Sequence, residues 1–214
     1  MKNGDIQNFR LSNSCSAGNG TFLVTKDTVA KWTELTVGTA AFRSLAAAQE
    51  GETVLALSDD GGLWSYDGAR VQRTATLAGM RAVSVSPDGE LAIAAGNGMM
   101  RSQDGGATWS PLAVDAGVTF DDVRLGEDGT AVAVGAGGAI ANIDANGTVA
   151  IQHVGTAGLH TVHIADAEDA DPVGFAAGDG GQIVVSHDGG HTWSLGAKLG
   201  STVWGVDQIG DGHR

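Results

Sequence analysis

Ser186-His187-Asp188-Gly189-Gly190-His191-Thr192-Trp193 repeats a second stretch of the chain, Ser102-Gln103-Asp104-Gly105-Gly106-Ala107-Thr108-Trp109. Both read S-x-D-x-G-x-T-W. Two such copies within 214 residues signal an internal repeat. The Asp and Gly-Gly are turn chemistry: Gly takes positive φ at low cost, and Asp accepts hydrogen bonds from the N–H groups of its own turn. The Ser and Thr hydroxyls can tie both arms to that Asp. The Trp opens the outgoing strand and brings a large ring to bury. Such a clasp is complete without a ligand.

Weaker copies fall on the same period. Thr25-Lys26-Asp27 leads to Trp32 with the Asp-to-Trp offset of the strict copies. Ser65-Tyr66-Asp67-Gly68 keeps Ser and Asp but has Gln72 in the Trp position. Asn142-Ile143-Asp144 with Asn146-Gly147-Thr148 keeps Asp and Thr. Aspartates 27, 67, 104, 144 and 188 are spaced by 40, 37, 40 and 44 residues. Each interval has the length of one four-stranded propeller blade.

The strict copies resemble the Asp box, or bacterial neuraminidase repeat. In that family the box closes the hairpin between the third and fourth strands of a propeller blade. The resemblance implies a structural role for Ser102, Asp104, Gly106, Thr108 and Trp109, for Ser186, Asp188, Gly190, Thr192 and Trp193, and for Asp27, Trp32, Asp67 and Asp144. The whole repeat has the rhythm V-x-V…DG…AVG-x-GG-x-I…S-x-DGG-x-TW, carried best by residues 131–144 and 173–193. It resembles the photosystem II stability/assembly factor-like group of Asp-box proteins. That likeness implies a non-catalytic propeller serving as a binding or assembly platform. Five repeats are fewer than those factors usually have.

The strands align with the repeat. First strands are expected over residues 42–47, 80–85, 120–125, 159–164 and 203–208. Second strands over 54–57, 91–95, 131–134 and 173–177 are near-continuous apolar runs, which suits burial on both faces. Strands are also expected over 21–25 and 31–35. Gly-rich loops follow the second strands, as in Gly135-Ala136-Gly137-Gly138 and Gly178-Asp179-Gly180-Gly181. No helix follows to offer its N-terminus to a phosphate, so these read as tight turns. No 3.6-residue period is present and Gly interrupts every helical candidate, residues 43–49 included.

Residues 202–209 begin a repeat that the chain then abandons, while the N-terminus starts with the later strands of one. The expected fold is therefore all-β. It is a five-bladed β-propeller of four-stranded antiparallel blades, closed by the C-terminal strand joining the N-terminal blade. As a single domain over 1–214, its blades span about 13–36 with 202–209, then 42–78, 80–115, 119–153 and 159–197.

Charge narrows the partners. There are 25 acids, mostly Asp, against 12 bases, of which four are Lys, giving a net charge of −13. This disfavours nucleic acid and anionic membrane. Solubility is one reading; adaptation to high salt is another. Neither a run of about 18 apolar residues nor a signal-peptide core is present, so a monomeric cytoplasmic protein is expected. The lone Cys15 excludes an internal disulfide.

In the propellers that the repeat resembles, first strands line the channel, and the site lies on the face opposite the boxes. The residues just inside the first strands are Arg43, Arg81, Asp121, His160 and Trp204. Three places further come Ala46, Ser84, Arg124, His163 and Asp207. Arg43, Arg81, Asp121, His160, Trp204, Arg124, His163 and Asp207 are the candidate binding residues. Arg suits a carboxylate or phosphate bidentately, and Trp suits a flat apolar surface or a sugar face. The plainer alternative is mutual pairing across a wet channel, Arg43 or Arg81 with Asp121. His160 and His163 lie three apart on a strand and cannot chelate one ion together. His187 and His191 sit in a box turn facing solvent. No metal and no cofactor are expected. Trp64 is expected to pack, and Tyr66 to have a structural place at the surface.

Sialidases share the Asp box, but a resemblance to them would require an arginine triad and a Tyr nucleophile paired with Glu. Tyr66 has no Glu in a suitable repeat position. Asp121, Asp122 and Asp207 could serve a glycosidase, which needs paired inner carboxylates. The expectation is a non-enzyme that binds a protein partner or a glycan. A lectin with one similar pocket per blade is the alternative, and the divergence of the five first-strand residues argues against it.

Overall fold

A computed structural model describes residues 21–25, 32–36, 41–48, 53–66, 70–115, 117–164 and 173–206. β1 (Thr21–Thr25) and β2 (Trp32–Thr36) pair antiparallel, with Thr21 opposite Thr36. Four four-stranded antiparallel sheets follow, each made of strands consecutive in sequence. The first contains β3 (Phe42–Ala47), β4 (Val54–Ser58), β5 (Gly62–Tyr66) and β6 (Val71–Thr76). The second contains β7 (Met80–Val85), β8 (Ala92–Gly96), β9 (Met99–Ser102) and β10 (Ser110–Leu112). The third contains β11 (Phe120–Leu125), β12 (Ala131–Gly135), β13 (Ala139–Ile143) and β14 (Val149–His153). The fourth contains β15 (Leu159–Ile164), β16 (Gly174–Gly178), β17 (Gln182–Ser186) and β18 (Ser194–Lys198). By internal contacts the chain divides into two compact units, Met1–Ala94 with Arg101–Ser110, and Ala95–Met100 with Pro111–Arg214.

The first strands β3, β7, β11 and β15 have the bounds expected from the repeat. Helix among the described residues is confined to two three-residue 3-10 turns, Ala136–Gly138 and Asp179–Gly181. The C-terminal stretch differs from expectation. Residues 202–206 form no strand, and 207–214 lie outside the described residues, as does the start of the first blade. The stretch is held at two points instead. The Val203 N–H donates to Gly178 O at 3.0 Å, and the Val206 N–H donates to Thr161 Oγ1 at 3.4 Å. The second acceptor is a side chain, so this bond does not extend a main-chain ladder. Gly205 between them adds nothing that favours an extended strand.

Burial grades across each sheet. β4, β8 and β12 are buried at every residue, whereas β18 is exposed along its whole length. The continuous apolar runs of the second strands follow from this: both faces pack. In the first unit the core gathers Val54, Ala56 and Tyr66 with Phe42, Leu45 and Trp64. Trp64 packs edge-on against Phe42, with ring centroids 6.2 Å apart. Tyr66, expected at the surface, is buried on β5 because it faces Val54 across the ladder. In the second unit Val132, Val134, Ile140, Leu159, Val162, Val184 and Trp193 form the core.

The two S-x-D-x-G-x-T-W turns are near-superimposable in their hydrogen bonds. Ser102 Oγ donates to Asp104 Oδ1 at 2.7 Å and accepts from the Gly106 N–H at 2.9 Å. Asp104 then accepts from Thr108 twice, from N–H at 2.8 Å and from Oγ1 at 2.6 Å. Trp109 Nε1 donates to Gly106 O at 2.9 Å. Ser186, Asp188, Thr192 and Trp193 repeat the set with distances within 0.1 Å. Asp144 keeps the Thr148 N–H bond at 2.7 Å without the Trp. Asp27 and Asp67 lie outside the described residues, and Trp32 is described only as backbone on β2.

The second glycine of each turn touches a second strand of the preceding repeat. A Cβ on Gly106 would meet Leu55 Cδ2 at 2.9 Å, and one on Gly190 would meet Val132 Cγ2 at 3.0 Å. The His191 carbonyl adds a polar tie, accepting from Asn142 at 2.9 Å. Each turn thus also staples its own repeat to the one before.

These donors hold the Asp104 and Asp188 carboxyls at about 2, chiefly through Thr108 and Thr192. A carboxyl held below its ordinary value stabilises the fold above that value, and the gain disappears as pH falls through the folded one. Stability should therefore drop between about pH 4 and pH 2. Asp104→Asn with Asp188→Asn should flatten that drop in acid titrations followed by circular dichroism; an unchanged acid limb would contradict the assignment.

Backbone proximity makes a second prediction. A Cβ on Gly135 or Gly178 would lie 2.0 Å from Thr119 O or Gly158 O, whereas Gly137, at φ 64°, has nothing within 4 Å. Gly135→Ala or Gly178→Ala should cost about 3 kcal/mol or more in urea unfolding, against about 1 kcal/mol for Gly137→Ala. Equal costs would refute the close approach.

Candidate functional site

Each first strand whose register is resolved begins with a bulge. The ladder slips between Phe42 and Ser44, between Phe120 and Asp122, and between Leu159 and Thr161. The residue left over is Arg43, Asp121 or His160. A bulge frees one side chain from the pleat and re-aims it. A backbone bond accompanies each bulge: Asp59 N–H to Ala41 O, Ala136 N–H to Thr119 O, and Asp179 N–H to Gly158 O, all within 2.8–2.9 Å. Gly135 and Gly178 stand opposite Phe120 and Leu159, where only a glycine lets the carbonyl approach so closely. These bulges share one end of the sheet with the second-to-third-strand loops. The S-x-D turns join third to fourth strands at the other end.

In the second unit three of the predicted residues come together. His160 Nδ1 lies 3.3 Å from Asp121 Oδ2, and Nε2 lies 2.9 Å from Asp179 Oδ1. The imidazole stacks on Trp204, with centroids 4.3 Å apart and planes 17° apart. In the first unit Arg43 Nε donates to Asp59 Oδ1 at 2.7 Å. Asp59 and Asp179 occupy the same place in their repeats, directly after the residue opposite the first strand's start. A basic bulge residue with an acid at the end of the second strand is therefore a recurring pair.

Sequence reasoning did not single out Asp59 and Asp179, which it read only as members of Gly-rich loops. The signal was present: both repeats with a basic bulge residue carry Asp at the matching loop place, and the repeat with Asp121 carries Ala136 there. Arg43 pairs with Asp59, and Asp121 pairs with His160. Arg81 is the second residue of β7 and is exposed, Arg124 is exposed on β11, and His163 stands half-buried opposite Phe175. Asp207 lies outside the described residues. His187 and His191 are exposed in their turn. Among the described residues no three His, Cys, Asp or Glu are grouped to hold a metal ion, and no helix is long and apolar enough to cross a membrane.

One place further along, side chains of the first strands reach neighbouring backbone. Ser44 Oγ accepts from the Val83 N–H at 3.0 Å, Asp122 Oδ2 from the Val162 N–H at 2.9 Å, and Thr161 Oγ1 from the Val206 N–H. Asp122 also accepts from the Val123 N–H at 2.9 Å. Desolvation raises its carboxyl above the ordinary value, and the two backbone donors oppose that. A raised folded value means stability present at low pH that is lost as pH rises through it. Asp122→Asn removes the charge, at a fixed cost for the amide nitrogen that must face one of the two N–H groups. Relative to the native chain, this variant should gain stability from pH 3 to pH 7 in urea midpoints; a difference that stays constant with pH would refute the desolvated charge.

No protein-family model and no curated protein sequence matches the chain. Solved structures do. YCF48 from Cyanidioschyzon merolae is similar with a TM-score of 0.62 at 17% identity, over 89% of this chain and 71% of that one. A structure described as YCF48 bound to D1 peptide gives 0.53 at 16%, over 85% and 79%. A structure of U3-55K gives 0.67 at 7%, over 87% and 58%. At these identities the likeness is one of fold, and that fold is the β-propeller.

Proposed function

We propose that the chain is a five-bladed, non-catalytic β-propeller that binds an extended peptide of a protein partner at the end opposite the S-x-D turns. The blade count and closure are supported by the side-chain relay between first strands. Val206 takes from Thr161 the bond that Val83 takes from Ser44 and Val162 from Asp122. That match is what supports reading residues 202–206 as a further first strand and the C-terminus as the closing element. The non-catalytic reading is supported by the carboxylates. Asp122, the buried one, is committed to two backbone N–H groups.

One observation carries the site: the bulges bring Asp121 and His160 together with Asp179 and the exposed Trp204. Arg43 and Arg81 hold the matching sequence places in the first unit, Arg124 and His163 stand further along their strands, and Asp207 is included from the sequence alone. A peptide is favoured as the occupant because a structure of this fold is described with one bound. A non-catalytic platform also agrees with the assembly-factor-like repeat.

Selection from a displayed random peptide library tests this. The native chain should enrich binders that are lost with combined Arg43→Ala, Arg81→Ala, His160→Ala and Trp204→Ala, and kept with Asp104→Asn. No enrichment, or enrichment indifferent to the four substitutions, would reject the site. Strong binding on a glycan array instead would turn the reading to a lectin.

A further inference from the structure

Trp204 is the most exposed of the large apolar side chains among the described residues, at 74%. Exposed apolar surface costs about 25 cal/mol per Å² relative to burial. Neither backbone bond of the C-terminal stretch, at Val203 or at Val206, requires an indole between them. One face of the ring lies on the His160 imidazole, so the indole is held in place and its other face meets water. Beside it, the Asp179 side chain is 56% exposed, with Oδ1 on the same imidazole.

Indole face and carboxylate attract the same kind of ligand. The face of an aromatic ring is the negative pole of its quadrupole and draws a cation, Trp most strongly. The carboxylate adds a full negative charge next to it. An anionic side chain would be repelled by both, and a neutral apolar one would use only the ring. Resting on the peptide-binding reading above, we infer that Trp204 and Asp179 form a subsite for a cationic side chain of the bound peptide, arginine above lysine. A guanidinium is planar, so it stacks flat on the free indole face, and the carboxylate at the imidazole edge draws it by charge. His160 is a positioning residue here: its ring fixes the indole, and its nitrogens hold Asp121 and Asp179. The net charge of −13 favours the approach of a basic peptide.

The test uses the full chain and three end-blocked Gly/Ser nonapeptides with a central arginine, glutamine or glutamate, titrated by calorimetry at low salt. The arginine peptide should bind at least about fivefold more tightly than the glutamine peptide, and the glutamate peptide most weakly. Trp204→Leu and Asp179→Asn should each weaken the arginine peptide by about threefold to tenfold. Both side chains are largely exposed, so circular dichroism should remain native. High salt should erase the preference. Equal affinity for the three peptides, or an arginine affinity unchanged in both variants, overturns the subsite. If library selection still enriches peptides without basic residues, only the subsite falls; if it enriches nothing, the peptide-binding reading falls with it.

Discussion

The close passage of backbone at the entry of the first strands is the constraint on which the rest depends. At Gly135 and Gly178 a neighbouring carbonyl sits where any side chain would begin. That contact accompanies the Ala136 and Asp179 backbone bonds, which pin the strand entry while the ladder slips by one residue. The slip releases Asp121 and His160 from the sheet. The side chains freed at these strand entries are thus a by-product of sheet geometry: the bulge selects which residue leaves, and the repeat fixes how often.

The opposite end works by other means. Its turns are closed by side chains, with one carboxylate receiving both the hydroxyl and the backbone N–H of a Thr. They take no part in the cluster around His160, yet the glycines beneath them seat on Leu55 and Val132 of the preceding repeats. Rigid hairpins at one end therefore leave the other end free to vary. Arg43, Asp121 and His160 differ at one structural place, whereas the turns of the second and fourth sheets keep the same hydrogen bonds.

Much of the fold was legible because its determinants are local. The Asp-Gly-Gly turns, the apolar second strands and the period give β3, β7, β11 and β15 to the residue. Arg43, Asp121 and His160 were legible as a set because the repeat places them alike. Their partners were less so. Asp179 lies 19 residues from His160, and its pairing depends on the bulge, which no local pattern announces. Tyr66 was misplaced because its burial is decided by Val54 across the ladder rather than by its neighbours in sequence. The C-terminal stretch was read as a strand because it begins a further repeat, and its Thr161 contact uses a side-chain hydroxyl that the repeat pattern cannot reveal.

Ser44, Asp122 and Thr161 do the same task with a hydroxymethyl, a carboxylate and a secondary alcohol. A seam sewn by side chains tolerates such exchange, whereas a main-chain ladder would demand exact register. Gene duplication could therefore add or remove a sector without re-matching every strand to its neighbour, since one small acceptor is enough to receive the newcomer. The firmness of each joint would then be tuned by single codons, independently of the residues freed at the bulges.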